Sequence, residues 1–225
     1  MSAEPVVLAI DVGGSHVKIQ TSDGGEPRRV VSGSKMDAKA MCTAVLKLAD
    51  GLNYDVISIG YPGPVTHDKP LAEPHNLATG WVGFDYAGTL GKPVKIVNDA
   101  MMQAIGSYEG GRMLFLGLGT GLGAAMLVDG IAEPMELAHL PYKKKTFEDY
   151  VSDARRRKKG DKEWQAAVFD VVERLSAALE PDYVVLGGGN AVHLTKLPPK
   201  CKLGENANAF AGGFKLWQSD APKSA

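Results

Sequence analysis

The sequence has little cysteine, little excess charge and no long apolar run. Cys42 and Cys201 are the only cysteines among 225 residues, which excludes a disulfide framework and a cysteine-rich metal centre. The formal net charge is −1, so no overall electrostatic attraction to nucleic acid or to an anionic membrane is expected. No apolar run approaches the roughly 20 residues that cross a bilayer, and the segment PVVLAI is too short for a signal peptide. We therefore expect a cytoplasmic protein without a membrane or nucleic-acid partner.

What the sequence does contain is an alternation of short apolar strands and amphipathic helices. This alternation predicts an α/β fold, in which Asp37 caps a helix and Cys42 is a small buried hydrophobe. Residues 62–92, rich in Pro, Gly, His and Asn, are too long for an idle connection, so we expect them to be functional. The predicted strands cover residues 5–10, 16–22, 55–61, 93–97 and 183–189, a hairpin covers 115–130, and helices cover 37–50, 100–108 and 164–180.

Glycines interrupt the hairpin FLGLGTGLGAAMLVDG at positions 117, 119, 121 and 123. Glycine weakens a strand, so either this is a simple glycine-rich turn or an anionic ligand approaches the backbone. Other strand ends favour the ligand: Asp11 precedes Gly13-Gly14, and Asn98-Asp99 follows the strand at 93–97. Ligands collect at the carboxyl ends of strands in α/β sheets, and N–H groups of tight glycine turns bind phosphate oxygens. These segments together predict a phosphate-binding site.

Four segments in order, DVGGSHVKI, VNDA, LGLGTGLGAA and VVLGGGNA, resemble the phosphate-1, connecting, phosphate-2 and adenosine motifs of the actin-like ATPase superfamily. NLATGWVGFD, ELAHLPY and TFEDYV resemble the sugar-contacting segments of the ROK sugar kinases, and among these the polyphosphate glucokinases. The resemblance implies two ribonuclease-H-like α/β lobes with the active site in the cleft between them. We place these lobes at residues 1–98, with the sugar-site loop, and 99–225, with the second phosphate loop.

The resemblance also implies the residues that bind the phosphoryl donor. Asp11 would hold Mg²⁺ through water, although it could equally be a solvated carboxylate at a strand end. Lys18 could point at either ATP or polyphosphate. The implied donor-binding residues are Asp11, Gly13, Gly14, Ser15, Lys18, Gly119, Thr120, Gly121, Gly187, Gly188 and Gly189.

Asp99 matches the catalytic base of the family, which would accept the proton of the sugar hydroxyl. Its alternative role is to cap the helix that starts at Ala100. Glu136 and His139 would share one face of a helix, either as sugar contacts or as an ordinary surface pair. Asn76 and Asn98 could be turn residues, and Trp81 is expected to pack in the loop. The implied sugar-binding residues are Asn76, Asn98, Asp99, Glu136, His139 and Glu148.

The sequence departs from the family pattern at two places. Many ROK proteins bind a structural zinc through a histidine and three cysteines, but HLPYKKKTFEDYV supplies only His139, so we expect no zinc. Many are repressors with an N-terminal helix-turn-helix domain, whereas this chain begins directly with the first phosphate strand, so we expect no DNA-reading module. A filament or chaperone ATPase is disfavoured by the chain length.

Basic clusters at Lys143–Lys145 and Arg155–Lys159 are either solvated faces or a cationic track for polyphosphate. The resemblance implies a glucokinase that uses polyphosphate, ATP or both, with the basic clusters as a possible physical basis for polyphosphate binding. The alternatives are an ATP-dependent kinase of mannose or an amino sugar, or a non-catalytic sugar or nucleotide binder. The resemblance implies a homodimer, and the apolar face of 164–180 could serve the core or the partner.

Overall fold

Apolar runs form the middle strands of two mixed sheets in the computed structural model, which describes residues 4–205, 207–219 and 221–224. The first ten elements are β1 (Val7–Val12), β2 (His16–Thr21), β3 (Gly24–Val31), α1 (Ala38–Leu48), β4 (Val56–Tyr61), β5 (Val65–Thr66), β6 (Lys69–Pro70), α2 (Tyr86–Leu90), β7 (Val94–Asn98) and α3 (Asp99–Ser107). They are followed by β8 (Arg112–Leu118), β9 (Leu122–Val128), β10 (Ile131–Met135), β11 (Pro141–Tyr142), β12 (Lys145–Thr146), α4 (Phe147–Val151), α5 (Asp153–Lys159), α6 (Asp161–Leu179), β13 (Tyr183–Gly187), β14 (Cys201–Leu203), α7 (Asn208–Lys215) and β15 (Lys223–Ser224). Short 3₁₀ turns cover Leu137–His139 and Ala191–His193.

The first sheet has the strand order β3-β2-β1-β4-β7, with β1, β4 and β7 parallel and β2 and β3 antiparallel. Asp11 pairs with Gly60, which pairs with Val97. The strand ends that carry Asp11 and Asn98 therefore lie together where the parallel strands finish. Since neighbouring strands are about 4.8 Å apart, the Asp11 and Val97 backbones are separated by roughly 10 Å. The register therefore brings the predicted metal-binding and catalytic strand ends close together.

The second sheet has the order β14-β13-β8-β9-β10-β15. The glycine-rich hairpin is confirmed: β8 and β9 pair from Arg112–Val128 to Leu118–Leu122, with the turn at 119–121. Strand β13 runs parallel to β8 and ends with Gly187 beside Gly117. With β15 set aside, the strand order β10-β9-β8-β13-β14 repeats that of the first sheet. The α/β class and its mixed sheets agree with the predicted fold.

The chain divides into two units, each containing one of these sheets. The first unit comprises Met1–Met102 and Ala209–Ala221, and the second comprises Gln103–Asn208 and Pro222–Ala225. The division differs from the predicted one at residue 98 in two respects. The first unit extends four residues into helix α3, and it also takes the segment 209–221, because Gly213 of α7 packs against Ala9 and Ser58 of the first sheet. The cleft between lobes that the resemblance implies stays a prediction.

Helices cover each sheet with the residues that the periodicity predicts. In the first unit, the Asp37 side chain accepts the Ala40 N–H at 2.7 Å and caps α1, while Cys42 is buried. Trp81 is also fully buried, so its predicted packing role is confirmed. In the second unit, Trp164, Val168 and most of the apolar face of α6 are buried in the core of that unit, while Ala178 near the end of the helix is exposed. Most of this face is therefore core.

Both edge strands of the first sheet, β7 and β3, carry features that hinder pairing with a further strand. At one edge, Asp68 lies at the tip of the β5–β6 hairpin and accepts the Ile96 N–H of β7 at 2.9 Å. At the other, β3 carries Pro27 and an arginine pair. Within the part of the chain that the structure describes, no helix has the length and apolar composition needed to cross a membrane.

Candidate active site

The turn between β1 and β2 is a tight loop whose backbone is held from several sides. Gly13 N donates to His16 O at 3.0 Å, and Ser32 Oγ donates to Gly13 O at 2.6 Å. Ser32 N also donates to Ser15 O at 3.0 Å. Gly14 and Ser15 remain exposed at the apex. The predicted first phosphate turn is therefore rigid at its base and open where a donor phosphate would meet it.

Asn76 of the long 62–92 loop lies directly against this turn. A Cβ on Gly14 would be 3.3 Å from the Asn76 Cβ, a tight contact that glycine avoids. The loop is held by Glu73, whose carboxylate accepts the N–H groups of Gly80, Trp81 and Val82 at 3.0, 3.0 and 3.3 Å. These backbone N–H groups, that of Trp81 first, lower the pKa of Glu73. A predicted sugar contact and a predicted donor turn thus meet within the first unit.

Asp11 faces Lys18 across the β1–β2 pair, with its carboxylate 3.4 Å from the Lys18 ammonium. Burial raises the pKa of Asp11, and the positive charge of Lys18 opposes that shift. A buried carboxylate at a strand end suits a hard cation such as Mg²⁺, which prefers oxygen ligands and keeps several waters. Among the described residues, no group of three or more His, Cys, Asp or Glu side chains could by itself hold a metal ion. Asp11 would therefore hold Mg²⁺ together with water and donor oxygens.

Asn98 caps helix α3, and Asp99 is the first residue of that helix. The Asn98 Oδ1 accepts the N–H groups of Ala100 at 2.9 Å and Met101 at 3.1 Å, and its Nδ2 donates to Gly63 O at 3.1 Å. Asp99 is half-buried, and its Oδ1 accepts the Ala100 N–H at 2.7 Å. Asn98 and Asp99 therefore share the N–H of Ala100, and Asn98 alone also accepts that of Met101.

The β8–β9 turn in the second unit is held at Gly119. Within the turn, Gly119 N donates to Gly121 O at 3.1 Å. The carbonyl of Gly119 accepts from Asp153 N at 2.9 Å and from Asn190 Nδ2 at 3.1 Å. Thr120 is exposed at the apex. This second phosphate turn, like the first, is fixed at its base and exposed at its tip.

The glycines after β13 have three different environments. A Cβ on Gly187 would be 2.6 Å from the Phe115 ring, so this position is closed by packing. Gly188 has φ +81°, and a Cβ there would be 2.5 Å from Leu118 O. Gly189 is exposed, with open space where its Cβ would be. Of the three, only Gly189 is exposed, and donor binding by these glycines stays a prediction.

The three sugar residues predicted in the second unit lie on two short elements. Glu136 and His139 are exposed at the ends of the 3₁₀ turn Leu137–His139, which replaces the helix that their spacing suggested. Glu148 is half-buried on α4, and its Oε2 accepts the Leu122 N–H at 3.2 Å. A Cβ on Gly121 would collide with the same carboxylate. Glu148 therefore contacts the second phosphate turn.

The arginines of the second basic cluster are neutralised by ion pairs. Arg155 pairs with Glu163 at 2.8 Å, and Arg156 with Asp153 at 3.2 Å and Asp161 at 3.0 Å. Arg157 also pairs with Asp153, at 2.7 Å. The interpretation of a solvated face with counter-charges fits these arginines. In contrast, Lys144, Lys158 and Lys159 form no ion pair with the carboxylates that the structure describes. No such carboxylate oxygen lies within 4.0 Å of their ammonium groups.

The structure thus gathers the predicted residues into two groups. The first unit holds Asp11, Gly13, Gly14, Ser15, Lys18, Asn76, Asn98 and Asp99, and the second holds Gly119, Thr120, Gly121, Glu136, His139, Glu148, Gly187, Gly188 and Gly189. Sequence reasoning missed Glu73, Ser32, Asp153 and Asn190, which hold the loops that carry these residues. Asn190 alone had a signal, because it follows the glycine run in VVLGGGNA.

No protein-family model matches the sequence, and no curated protein matches it. Solved structures do match its fold. The polyphosphate/ATP-glucomannokinase of Arthrobacter sp. strain KM aligns with a TM-score of 0.83 at 22% identity, covering 95% of this chain and 98% of that one.

Two further structures are explicitly of the ROK family. The ROK glucokinase of Streptomyces griseus, in complex with glucose and AMPPNP, has a TM-score of 0.78 at 14% identity and covers 94% of this chain and 99% of its own. The ROK hexokinase of Thermus thermophilus has a TM-score of 0.71 at 18% identity, with coverages of 94% and 97%. The chain therefore has the fold of the ROK-family sugar kinases, as the order of its sequence motifs predicts.

Proposed function

We propose that this chain is a glucokinase that transfers a phosphoryl group from polyphosphate, ATP or both to the 6-hydroxyl of glucose. Asp99 is the base that accepts the hydroxyl proton. Asn76, Asn98, Glu136, His139 and Glu148 are the proposed sugar contacts. Asp11 and the two glycine turns bind the donor, and Mg²⁺ held at Asp11 neutralises the charge of the transferred phosphate.

The observation that carries this proposal is the position of Asp99 relative to Asp11. Asn98 accepts the N–H groups of both Ala100 and Met101, so the start of helix α3 does not depend on Asp99 alone, which shares the N–H of Ala100. Asp99 is half-buried and directly follows β7, at the carboxyl ends of the parallel strands where Asp11 also lies. A carboxylate in this position is suited to accept a proton from a bound hydroxyl.

Replacement of Asp99 by Asn tests the proposal. General-base removal lowers turnover by about 10²–10⁴-fold, while glucose affinity should remain near the wild-type value because Asn retains hydrogen-bonding capacity. Turnover is measured with glucose and each donor, and glucose binding by calorimetry. Asp37→Asn is the matched control: it is the same change at the start of helix α1, where Asn caps as well as Asp. Near-wild-type turnover in Asp99→Asn contradicts the role of base.

The choice of donor is supported by a neighbour and by the position of α5. The Arthrobacter structure is of an enzyme named for both polyphosphate and ATP. Helix α5 starts at the second phosphate turn, since Asp153 N donates to Gly119 O at 2.9 Å, and it ends in Lys158 and Lys159. These lysines are the available cations of the cluster, because its arginines already bind carboxylates. We propose that they attract a long polyphosphate chain.

The double variant Lys158→Ala/Lys159→Ala should raise the KM for long-chain polyphosphate several-fold and leave the KM for ATP nearly unchanged. Added salt should weaken polyphosphate use more than ATP use, because the attraction is coulombic and screened. Lys39→Ala/Lys47→Ala on α1 makes the same charge change in the first unit and is the control. Activity with ATP and none with polyphosphate of any length contradicts this part of the proposal.

Mannose, glucosamine and N-acetylated sugars are the alternative acceptors. Specificity constants measured for each sugar with the purified protein decide between them. A non-catalytic sugar or nucleotide binder is the remaining alternative class, and binding of glucose without turnover of any donor would establish it.

A further inference from the structure

Helix α4 lies between the segment with Glu136 and His139 and the second phosphate turn, and it is tied to both. At its N-terminal end, Phe147 N donates to Leu140 O at 3.1 Å, directly after His139. Just beyond its C-terminal end, Asp153 N donates to Gly119 O at 2.9 Å. In its first turn, Glu148 Oε2 accepts the Leu122 N–H at 3.2 Å.

These contacts hold the turn between β8 and β9 at both of its ends. Gly119 follows β8 and Leu122 begins β9. The hydrogen bonds from Asp153 N to Gly119 O and from Leu122 N to Glu148 Oε2 therefore hold the two ends of the turn. The Glu148 carboxylate also fills the space beside Gly121, where any Cβ would collide with it. A side chain at position 121 would require the Glu148 carboxylate to move, so glycine preserves this contact.

Helix α4 is itself firmly anchored in the second unit. Thr146 and Asp149 form a capping box at its start. Tyr142 packs its ring 5.1 Å from that of Phe147 and 4.9 Å from that of Tyr150, and its hydroxyl donates to Asp170 of α6. A side chain on such a helix can hold a neighbouring loop in one conformation.

We propose that Glu148 is a positioning residue for the phosphoryl donor, in addition to its proposed contact with the sugar. Its carboxylate fixes the Leu122 N–H and thereby the conformation of the turn at 119–121 before any sugar is bound. The inference rests on the proposed kinase function for the identity of the donor, but its evidence is the contact with Leu122.

Donor affinity of the sugar-free protein is the quantity that separates this role from a sugar contact alone. It is measured by calorimetry with a non-hydrolysable ATP analogue and, separately, with polyphosphate. Glu148→Ala removes the acceptor of a charge-assisted hydrogen bond and should weaken donor binding about tenfold or more. Glu148→Asp keeps the charge but withdraws the oxygens by one methylene, and we expect a similar loss.

Glu148→Gln keeps an acceptor oxygen and removes a negative charge near the donor turn, so donor affinity should remain at or above the wild-type value. Glu173→Ala, an exposed glutamate on α6, is the matched control. Hydrogen exchange at the Leu122 amide gives a readout independent of activity. It should accelerate in Glu148→Asp and Glu148→Ala, but not in Glu148→Gln.

The outcomes distinguish the two proposals. Wild-type donor affinity and unchanged Leu122 exchange in Glu148→Asp overturn the positioning role, whatever happens to sugar affinity. If Glu148→Ala fails to fold, the Asp and Gln variants still give opposite expected results. If the wild-type protein phosphorylates no sugar while Glu148→Asp loses donor affinity, the glucokinase proposal fails and the positioning role stands.

Discussion

Glu73 holds the loop at 62–92 by accepting three consecutive backbone N–H groups, those of residues 80–82. Three aligned N–H groups bind an anion much better than a neutral acceptor, and for this reason the pKa of Glu73 is lowered. The loop carries Asn76, which lies against Gly14 of the first phosphate turn. The ionised state of one side chain thus supports the geometry of a proposed sugar contact.

A pH dependence follows from the lowered pKa of Glu73. A carboxyl whose pKa is lower in the folded state contributes stability that is present above its unfolded pKa and is lost as the pH falls through its folded pKa. Thermal stability should therefore decrease as the pH falls below about 4. In Glu73→Gln the protein should be less stable at neutral pH, with a flatter pH profile. Thermal unfolding followed by tryptophan fluorescence checks this, because Trp81 is buried in the same loop.

Glu26→Gln, an exposed glutamate on β3, is the control for this measurement and should reproduce the wild-type profile. An identical pH profile in Glu73→Gln and the wild-type protein would show that the charge of Glu73 does not support the loop.

Gly188 and Gly189, which follow β13, differ in how well they would tolerate a side chain. Gly188→Ala combines a left-handed backbone with a backbone collision at Leu118, and should destabilise the protein by about 2–4 kcal/mol. Gly189→Ala meets open space, so the free energy of unfolding should change by less than about 0.5 kcal/mol. Denaturant unfolding measures both values. Equal stability of the two variants would contradict this assignment.

Amphipathic helices and buried apolar strands could be predicted from the sequence, whereas the exposed strand β3 and the short elements of the charged segment could not. Helix α6 was predicted from residue 164 but begins at Asp161, because its first turn is charged and lies outside the apolar pattern. Between residues 131 and 163, the elements are too short for any period to show. Helix α7 was missed because Gly212 and Gly213 suggest a break, whereas glycine there allows the helix to approach the first sheet.

The candidate site follows the same rule. Strand-end carboxylates and glycine turns could be located because they interrupt apolar runs. The partners that hold them, such as Ser32 for Gly13, are distant in sequence and have no local pattern. Glu136 and His139 were expected on a helix, but their short segment forms a 3₁₀ turn.

At the scale of the whole molecule, both units repeat one strand order, although the sequence has no visible internal repeat. A strand order depends on which strands pair, and pairing between distant strands leaves no local signature. For the same reason, residues 209–221 could not be assigned to the first unit from the sequence.

The resemblance to ROK kinases predicts a homodimer. Most of the apolar face of α6 is buried in the core of its own unit, so that part of the helix would not contribute to the interface. Light scattering at micromolar concentration should give a mass near twice the 23.9 kDa of the chain. A mass equal to that of a single chain contradicts the prediction.

The Asp68 carboxylate that accepts the Ile96 N–H has a consequence for solubility. An edge strand with free N–H and C=O groups is a template on which a second chain can add a strand and begin an aggregate. Asp68 occupies one of these groups on β7, and Pro27 removes a donor from β3 at the opposite edge. The first sheet is thereby protected at both ends against fibrillar growth during synthesis and storage at high concentration.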